Sequence, residues 1–226
     1  MMTFTEYGCW NMNPLAYLRR LASRRRDGKR RPEVTAFDAA VAKLRPGDMT
    51  IDCGANIGKF TVPMAESGAN VHAFEPNPDA YACLVEKTSG YPNVQCFQAA
   101  VTTEPGQVKL YLHKYAGDDP VHFSTGSSLL ASKRNVRKNR YEMVEGIPFA
   151  DFIEKLDVTI RLLKMDIEGA EVDILNQLLD RGLHERIDQA FIEVHDRQIK
   201  ALAGTTEKLR QRLKALGVEH FRLDWR

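Results

Sequence analysis

The segment Thr50-Ile51-Asp52-Cys53-Gly54-Ala55-Asn56-Ile57-Gly58 constrains this chain more than any other. A short apolar run ends in an acidic residue, enters a turn containing two glycines and continues into helix-forming sequence. A strand that feeds a helix through so tight a turn is a building unit of a parallel sheet covered by helices. The alternation then recurs along the chain. Strands are expected at Met49–Cys53, Val71–Glu75, Val94–Phe97, Ile160–Met165, Ala190–Val194 and His220–Trp225. Helices are expected at Phe37–Leu44, from Gly58 to Ser67-Gly68, from Pro78 to about Thr88, at Ala170–Leu179 and at Thr206–Leu216. Thr35 and Asp38 read as a capping box for the first helix, Asn77-Pro78 as the N-cap and first residue of another, and Pro63 as a kink. The fold class is α/β: a three-layer α/β/α Rossmann-like domain with a mostly parallel sheet.

Two stretches interrupt the repeat. Gln107–His113 alternates like a half-buried strand, with Glu104-Pro105-Gly106 before it as a hairpin turn. Residues 114–147 read as a long polar loop carrying the basic cluster Lys133, Arg134, Arg137, Lys138 and Arg140. At 226 residues, 43% of them hydrophobic and 27% charged, the chain is long enough to bury one core. No run approaches the ~18 apolar residues of a spanning helix, and residues 1–36 lack the apolar stretch of a secretory signal, so a cytoplasmic protein is expected. Cys9, Cys53, Cys83 and Cys96 form no CxxC pair and no metal-ligand spacing, which predicts neither a zinc site nor a disulfide framework.

Residues 1–33 read as an N-terminal basic helical extension and 34–226 as the main domain. Leu15, Leu18, Leu21 and Ala22 recur at helical spacing ahead of a basic run, and residues 1–36 hold eight basic against three acidic side chains. That segment fits either a packed helix with a solvated basic tail, or peripheral contact through residues 15–31 with an anionic membrane or a phosphorylated carrier. Its basicity is not spread over a groove, which weighs against a nucleic-acid interface on the main body.

A dinucleotide site would call for GxGxxG, with pyrophosphate against bare amides; this chain offers DxGxNxG. A carboxylate beside the turn repels phosphate and suits a ligand carrying ammonium and sulfonium, as S-adenosylmethionine does. Glu75 closes the second strand, 23 positions after Asp52, where it can accept hydrogen bonds from ribose hydroxyls. The expected cofactor-binding set is Asp52, Gly54, Ala55, Asn56, Gly58, Glu75, Pro76, Gln98 and Ala99. A second constellation, Lys164-Met165-Asp166-Ile167-Glu168-Gly169-Ala170-Glu171, puts Asp166 at the carboxyl end of the fourth main strand, while Glu168 and Glu171 read either as part of an acidic site or as charges favourable in a helix's first turn. Glu193 and His195 end the fifth main strand. The expected catalytic residues are His195, Asp166 and Glu168, with His195 as base, Asp166 orienting it and Glu168 in reserve. No resident metal is expected, and a cation on Asp166 would lack evident further ligands.

At DCGANIGKFT (52–61), FEPNP (74–78), GSSL (126–129), LLKMDIEGAE (162–171) and IEVH (192–195) the chain resembles the FkbM family of S-adenosylmethionine-dependent methyltransferases. The resemblance implies a class I methyltransferase core and O-methylation of a sugar, glycan or natural-product hydroxyl. The acceptor is then a small molecule or glycan, anionic if the basic cluster reads it, and a homo-oligomer is allowed. The chain departs from the usual core in having no evident final hairpin. Competing readings are an RNA 2′-O-methyltransferase, a nucleotide-dependent oxidoreductase and a non-catalytic S-adenosylmethionine-binding protein.

Overall fold

The computed structural model describes residues 32–114, 124, 127–131, 133, 136–197 and 199–225. The basic run before Pro32, with its expected helix and membrane contact, lies outside the described residues, as do Gly126 and Arg134. Helix α1 (Pro32–Val41) opens the description, then β1 (Met49–Cys53), α2 (Thr61–Glu66), β2 (Asn70–Phe74), α3 (Pro78–Thr88) and β3 (Val94–Phe97). A small excursion follows, made of β4 (Ala100–Thr102), β5 (Gly106–His113) and β6 (Val136–Pro148). The chain then returns through α4 (Phe149–Leu156), β7 (Ile160–Met165), α5 (Glu171–Asp180), β8 (Ala190–Ile192), α6 (Ala203–Ala215) and β9 (Phe221–Arg222).

The main sheet has the order β3-β2-β1-β7-β8-β9, and all its pairs are parallel. Strand order reverses beside β1, because β2 lies on one side and β7 on the other, and a crevice at this switch point is where such sheets take ligands. Both faces are covered. Alternate residues of β7 and β8 point to opposite layers: Leu163, Ala190 and Ile192 join a core with Ile153 of α4, Leu175 of α5 and Leu209 of α6, whereas Leu162 and Phe191 join Phe37 of α1 and Met64 of α2. The three-layer expectation is therefore met. Trp225 closes the second layer, its ring centroid 4.9 Å from Phe60 and 5.5 Å from Phe37. No helix among the described residues is long and apolar enough to cross a membrane.

Several local expectations are corrected. Helix α1 already covers Pro32–Val41 among the described residues, so Thr35 is interior to it rather than its cap. Helix α2 begins only at Thr61, which leaves Pro63 in the first turn, where its missing N–H costs no bond and makes no kink. Strands β2 and β8 stop one and two residues early, at Phe74 and Ile192. The hairpin at Glu104–Gly106 is not formed. Strands β4 and β5 flank β6 on opposite sides, parallel to it and antiparallel to it respectively, so they never pair with each other. The largest correction lies in 114–147, where residues from Val136 onward are strand rather than loop. Its inward positions Val144 and Gly146 alternate with the exposed Tyr141, Met143 and Glu145.

Candidate active site

The turn after β1 is built around close backbone approach. Gly54 has φ +77°, and a Cβ there would lie 1.9 Å from the carbonyl oxygen of Asp166, so only glycine lets the ends of β1 and β7 meet this tightly. Gly54 and Ala55 both donate their N–H groups to the carbonyl of Phe74, at 3.0 and 2.9 Å, and Asp166 N donates to Cys53 O at 3.0 Å. The turn is braced from below by Lys164. Its ammonium is buried within the sheet, 3.1 Å from Asp52 Oδ1, and donates to Gly54 O at 2.6 Å and Cys53 O at 3.3 Å. Burial alone would lower the lysine's pKa; the Asp52 and Asp166 carboxylates outweigh it and raise it. Asp52 also accepts from Thr61 Oγ1 at 2.7 Å, which fixes the start of α2.

Above the turn lies an open cavity. Gly54, Asn56, Glu75, Pro76 and Ala99 form the side nearest β1 and β2; Val101, Leu110, Ser127 and Leu129 form the side facing the small sheet. Glu75 is buried, and its two oxygens accept from Asn56 N and Asn77 N, each at 2.8 Å. Burial pushes its pKa up to about 7 against the pull of those two amides. Asn56, held at φ +50°, donates from Nδ2 to Ser124 Oγ at 2.8 Å.

The third wall is an acid cluster after β7. Asp166, Ile167 and Glu168 line the cavity. His195 sits behind them and is buried, with Nε2 2.9 Å from Glu168 Oε2 and Nδ1 3.0 Å from Glu171 Oε1. Glu171 Oε1 also accepts from Ile167 N and Gly169 N, both at 3.1 Å. Burial opposes charge on the ring, yet the two glutamates overcome it and lift the His195 pKa to about 10. His195 is thus an imidazolium donating from both nitrogens. Glu168 is held below its usual pKa against its own burial by His195 and by the Lys133 ammonium, with which it is ion-paired. Its backbone is left-handed, φ +62°, a conformation that costs about 1 kcal/mol or more and is fastened here by Ser128 Oγ donating to Glu168 O at 2.6 Å. Asp166 Oδ1 has no hydrogen-bond partner among the described residues, as is true of Glu171 Oε2, and His195 Nε2 lies 3.6 Å from it. Burial drives its pKa up to about 7.

Comparison with known proteins places this geometry. The model of the methyltransferase FkbM domain matches residues 52–219, most of the chain and every residue lining the cavity. The chain belongs to the FkbM methyltransferase family. Among its relatives, the 31-O-demethyl-FK506 methyltransferase FkbM of Streptomyces tacrolimicus is 29% identical over 177 residues, 68% of each chain. The hexuronic acid methyltransferase AglP of Haloferax volcanii is 24% identical over 150 residues, 66% of this chain and 56% of its own. The AMB antimetabolite synthetase AmbE of Pseudomonas aeruginosa is 29% identical over 224 residues, covering 83% of this chain; the match spans only 10% of that protein's length.

The residues present fit S-adenosylmethionine, the methyl donor of FkbM enzymes. A cradle that a Cβ would fill, a buried carboxylate at the end of β2, and apolar surface from Pro76 and Val101 provide for close backbone approach, ribose hydroxyls and a base ring. Among the nine residues expected to hold the cofactor, Gly54, Asn56, Glu75, Pro76 and Ala99 line the cavity. Asp52, Ala55 and Gly58 lie beneath it as buried support, and Gln98 is exposed. A metal fits less well. Asp166, Glu168 and His195 bring one donor atom each within 4.8 Å of one another, but both His195 nitrogens donate hydrogen bonds to glutamates and offer no lone pair. Sequence reasoning missed the inward turn of Lys133 and the bracing role of Lys164. For Lys164 a signal was present, since a lysine inside the apolar run Ile160–Met165 has to find a buried partner.

Proposed function

We propose that this chain transfers a methyl group from S-adenosylmethionine to a hydroxyl oxygen of an uncharged acceptor, a sugar, glycan or other natural product, with Asp166 taking the hydroxyl proton. The observation that carries the reading is the contrast between two groups in one cluster. His195 has both nitrogens occupied by glutamates, whereas Asp166 lines the cavity and its buried Oδ1 has no hydrogen-bond partner among the described residues, His195 Nε2 lying 3.6 Å away. This exchanges the roles anticipated from the strand ends. A carboxylate with a pKa of about 7 is matched to proton transfer at neutral pH, and an imidazole with a pKa of about 10 is not.

When bound, S-adenosylmethionine supplies an activated methyl on a sulfonium, so the protein's tasks are alignment and removal of one proton. The tight junction of Gly54 with Asp166 sets the proton acceptor at a fixed separation from the donor turn. The imidazolium of His195 favours the ionised form of Asp166, the form that can accept. The cavity wall carries Glu75, Asp166 and Glu168, and the two lysines beside it are committed to Asp52 and Glu168. That balance supports an uncharged acceptor over a phosphate, and the relative named for 31-O-demethyl-FK506 supports an oxygen. An acidic acceptor, as the name of AglP indicates for that protein, is the competing outcome.

Transfer of labelled methyl from S-adenosylmethionine into fractionated small molecules and glycans, with mass identification of the product, tests the reading. Asp166→Asn should lower kcat by about 10²-fold or more while S-adenosylmethionine affinity measured by calorimetry stays within about twofold. Wild-type turnover in that variant removes Asp166 from its role, and a labelled anion as sole product removes the uncharged acceptor.

A further inference from the structure

Lys133 belongs by sequence to the basic cluster that could read an anionic acceptor, but it turns inward instead. It is only 5% exposed, and its ammonium ion-pairs with Glu168 inside the site. The segment that delivers it is fastened at several points. Ser128 forms an isolated bridge with Tyr111 of β5, with N–H groups exchanged at 2.8 and 3.0 Å, and Lys133 N donates to Leu130 O at 3.2 Å. Leu130 packs on Gly169, where a Cβ would come within 2.7 Å of Leu130 Cδ1.

Charge arithmetic shows what the lysine does. Three carboxylates, Asp166, Glu168 and Glu171, converge on one imidazolium, and Glu193 adds a further acid near Asp166. Lys164 faces Asp166 from below but is paired with Asp52. With His195 alone, Asp166 and Glu168 would raise each other's proton affinity, and a proton would settle on one of them before any acceptor arrived.

We propose that Lys133 is a positioning residue of the transfer reaction, supplying the fixed positive charge that seats Glu168 on His195 and leaves the proton-accepting task to Asp166. The proposal rests on the reading of Asp166 as proton acceptor, and the experiment separates the two. Carboxyl carbon signals of labelled aspartate and glutamate are titrated by NMR in the cofactor-free protein, alongside the pH profile of kcat. In Lys133→Met, Glu168 and Asp166 should each titrate about one pH unit higher than in the wild type. The acid limb of kcat should move with Asp166, lowering kcat at pH 7 about fivefold with KM for S-adenosylmethionine within about twofold. Lys133→Arg should restore both. An unchanged Glu168 titration in Lys133→Met overturns the proposal. Should that variant fail to fold, Lys133→Gln, which keeps a hydrogen-bond donor without the charge, gives the same decision. Carboxyl signals that shift beneath an unmoved acid limb uphold Lys133 and refute Asp166 as the acceptor.

Discussion

Replacing Lys164 by methionine removes the buried cation beneath the glycine turn and, among the described residues, leaves Asp52 fully buried with the Thr61 hydroxyl as its side-chain partner. At 3.1 Å the pair's Coulomb attraction is about 5 kcal/mol for an effective dielectric near 20, and breaking a buried pair by removing one partner costs about 3–5 kcal/mol. The same change strips a donor from the carbonyls of Gly54 and Cys53, which reinforces the loss. Against a total stability of about 5–15 kcal/mol that is a large fraction, and it corresponds to a Tm lowered by roughly 6–20 °C. The informative measurement is a double-mutant cycle in urea. Asp52→Asn added to Lys164→Met should recover more than about 1 kcal/mol, because the uncompensated charge is gone, although each single change destabilises. Calorimetry on the same proteins should show S-adenosylmethionine affinity following the integrity of the turn rather than the presence of the Asp52 charge. A Lys164→Met protein as stable as the wild type, or a double variant no better than the single one, would sink the claim that this pair holds the site from below.

Two further outcomes follow from the perturbed acids and the histidine. Wild-type affinity for S-adenosylmethionine should strengthen as pH rises through about 7, where Glu75 ionises and becomes a full acceptor, while Glu75→Gln should bind about tenfold more weakly and lose that component of the pH dependence; calorimetry between pH 6 and 8 checks both. His195 is raised from 6.5 to about 10, so the stability it contributes is complete below pH 6.5 and is lost as pH climbs through 10. The unfolding free energy from urea titrations should accordingly fall by a few kcal/mol between pH 7 and 10 in the wild type and much less in His195→Gln; parallel curves would show that the double glutamate clasp contributes nothing.

Much of the main sheet was legible because its strands are short apolar runs with glycine or proline at their ends, and parallel strands covered on both faces carry that signature. Glu75 could be placed because a strand end determines where its neighbour points. Strand β6 was not legible. Only Val144 and Ile147 among its last residues are apolar and shielded, and the charged stretch before them becomes a strand only because β4 and β5 present ladders on both sides. The inward turn of Lys133 was hidden for a related reason, since a basic run looks solvated until tertiary contacts bring Glu168 beneath one of its members. Asp52 erred the other way. Its place at the end of β1 is as expected, but the partner that claims it lies on β7, more than a hundred positions away in sequence.

The absence of space between Gly54 and the carbonyl of Asp166 has a mechanical consequence. Two segments in van der Waals contact through bare backbone have no slack, so the turn and the acid loop travel as one rigid body. Adaptation to a bulky acceptor must therefore be absorbed on the opposite wall, by the side chains of the small sheet and by the serine segment laid across β5. Variation among enzymes sharing this junction should accumulate on that wall.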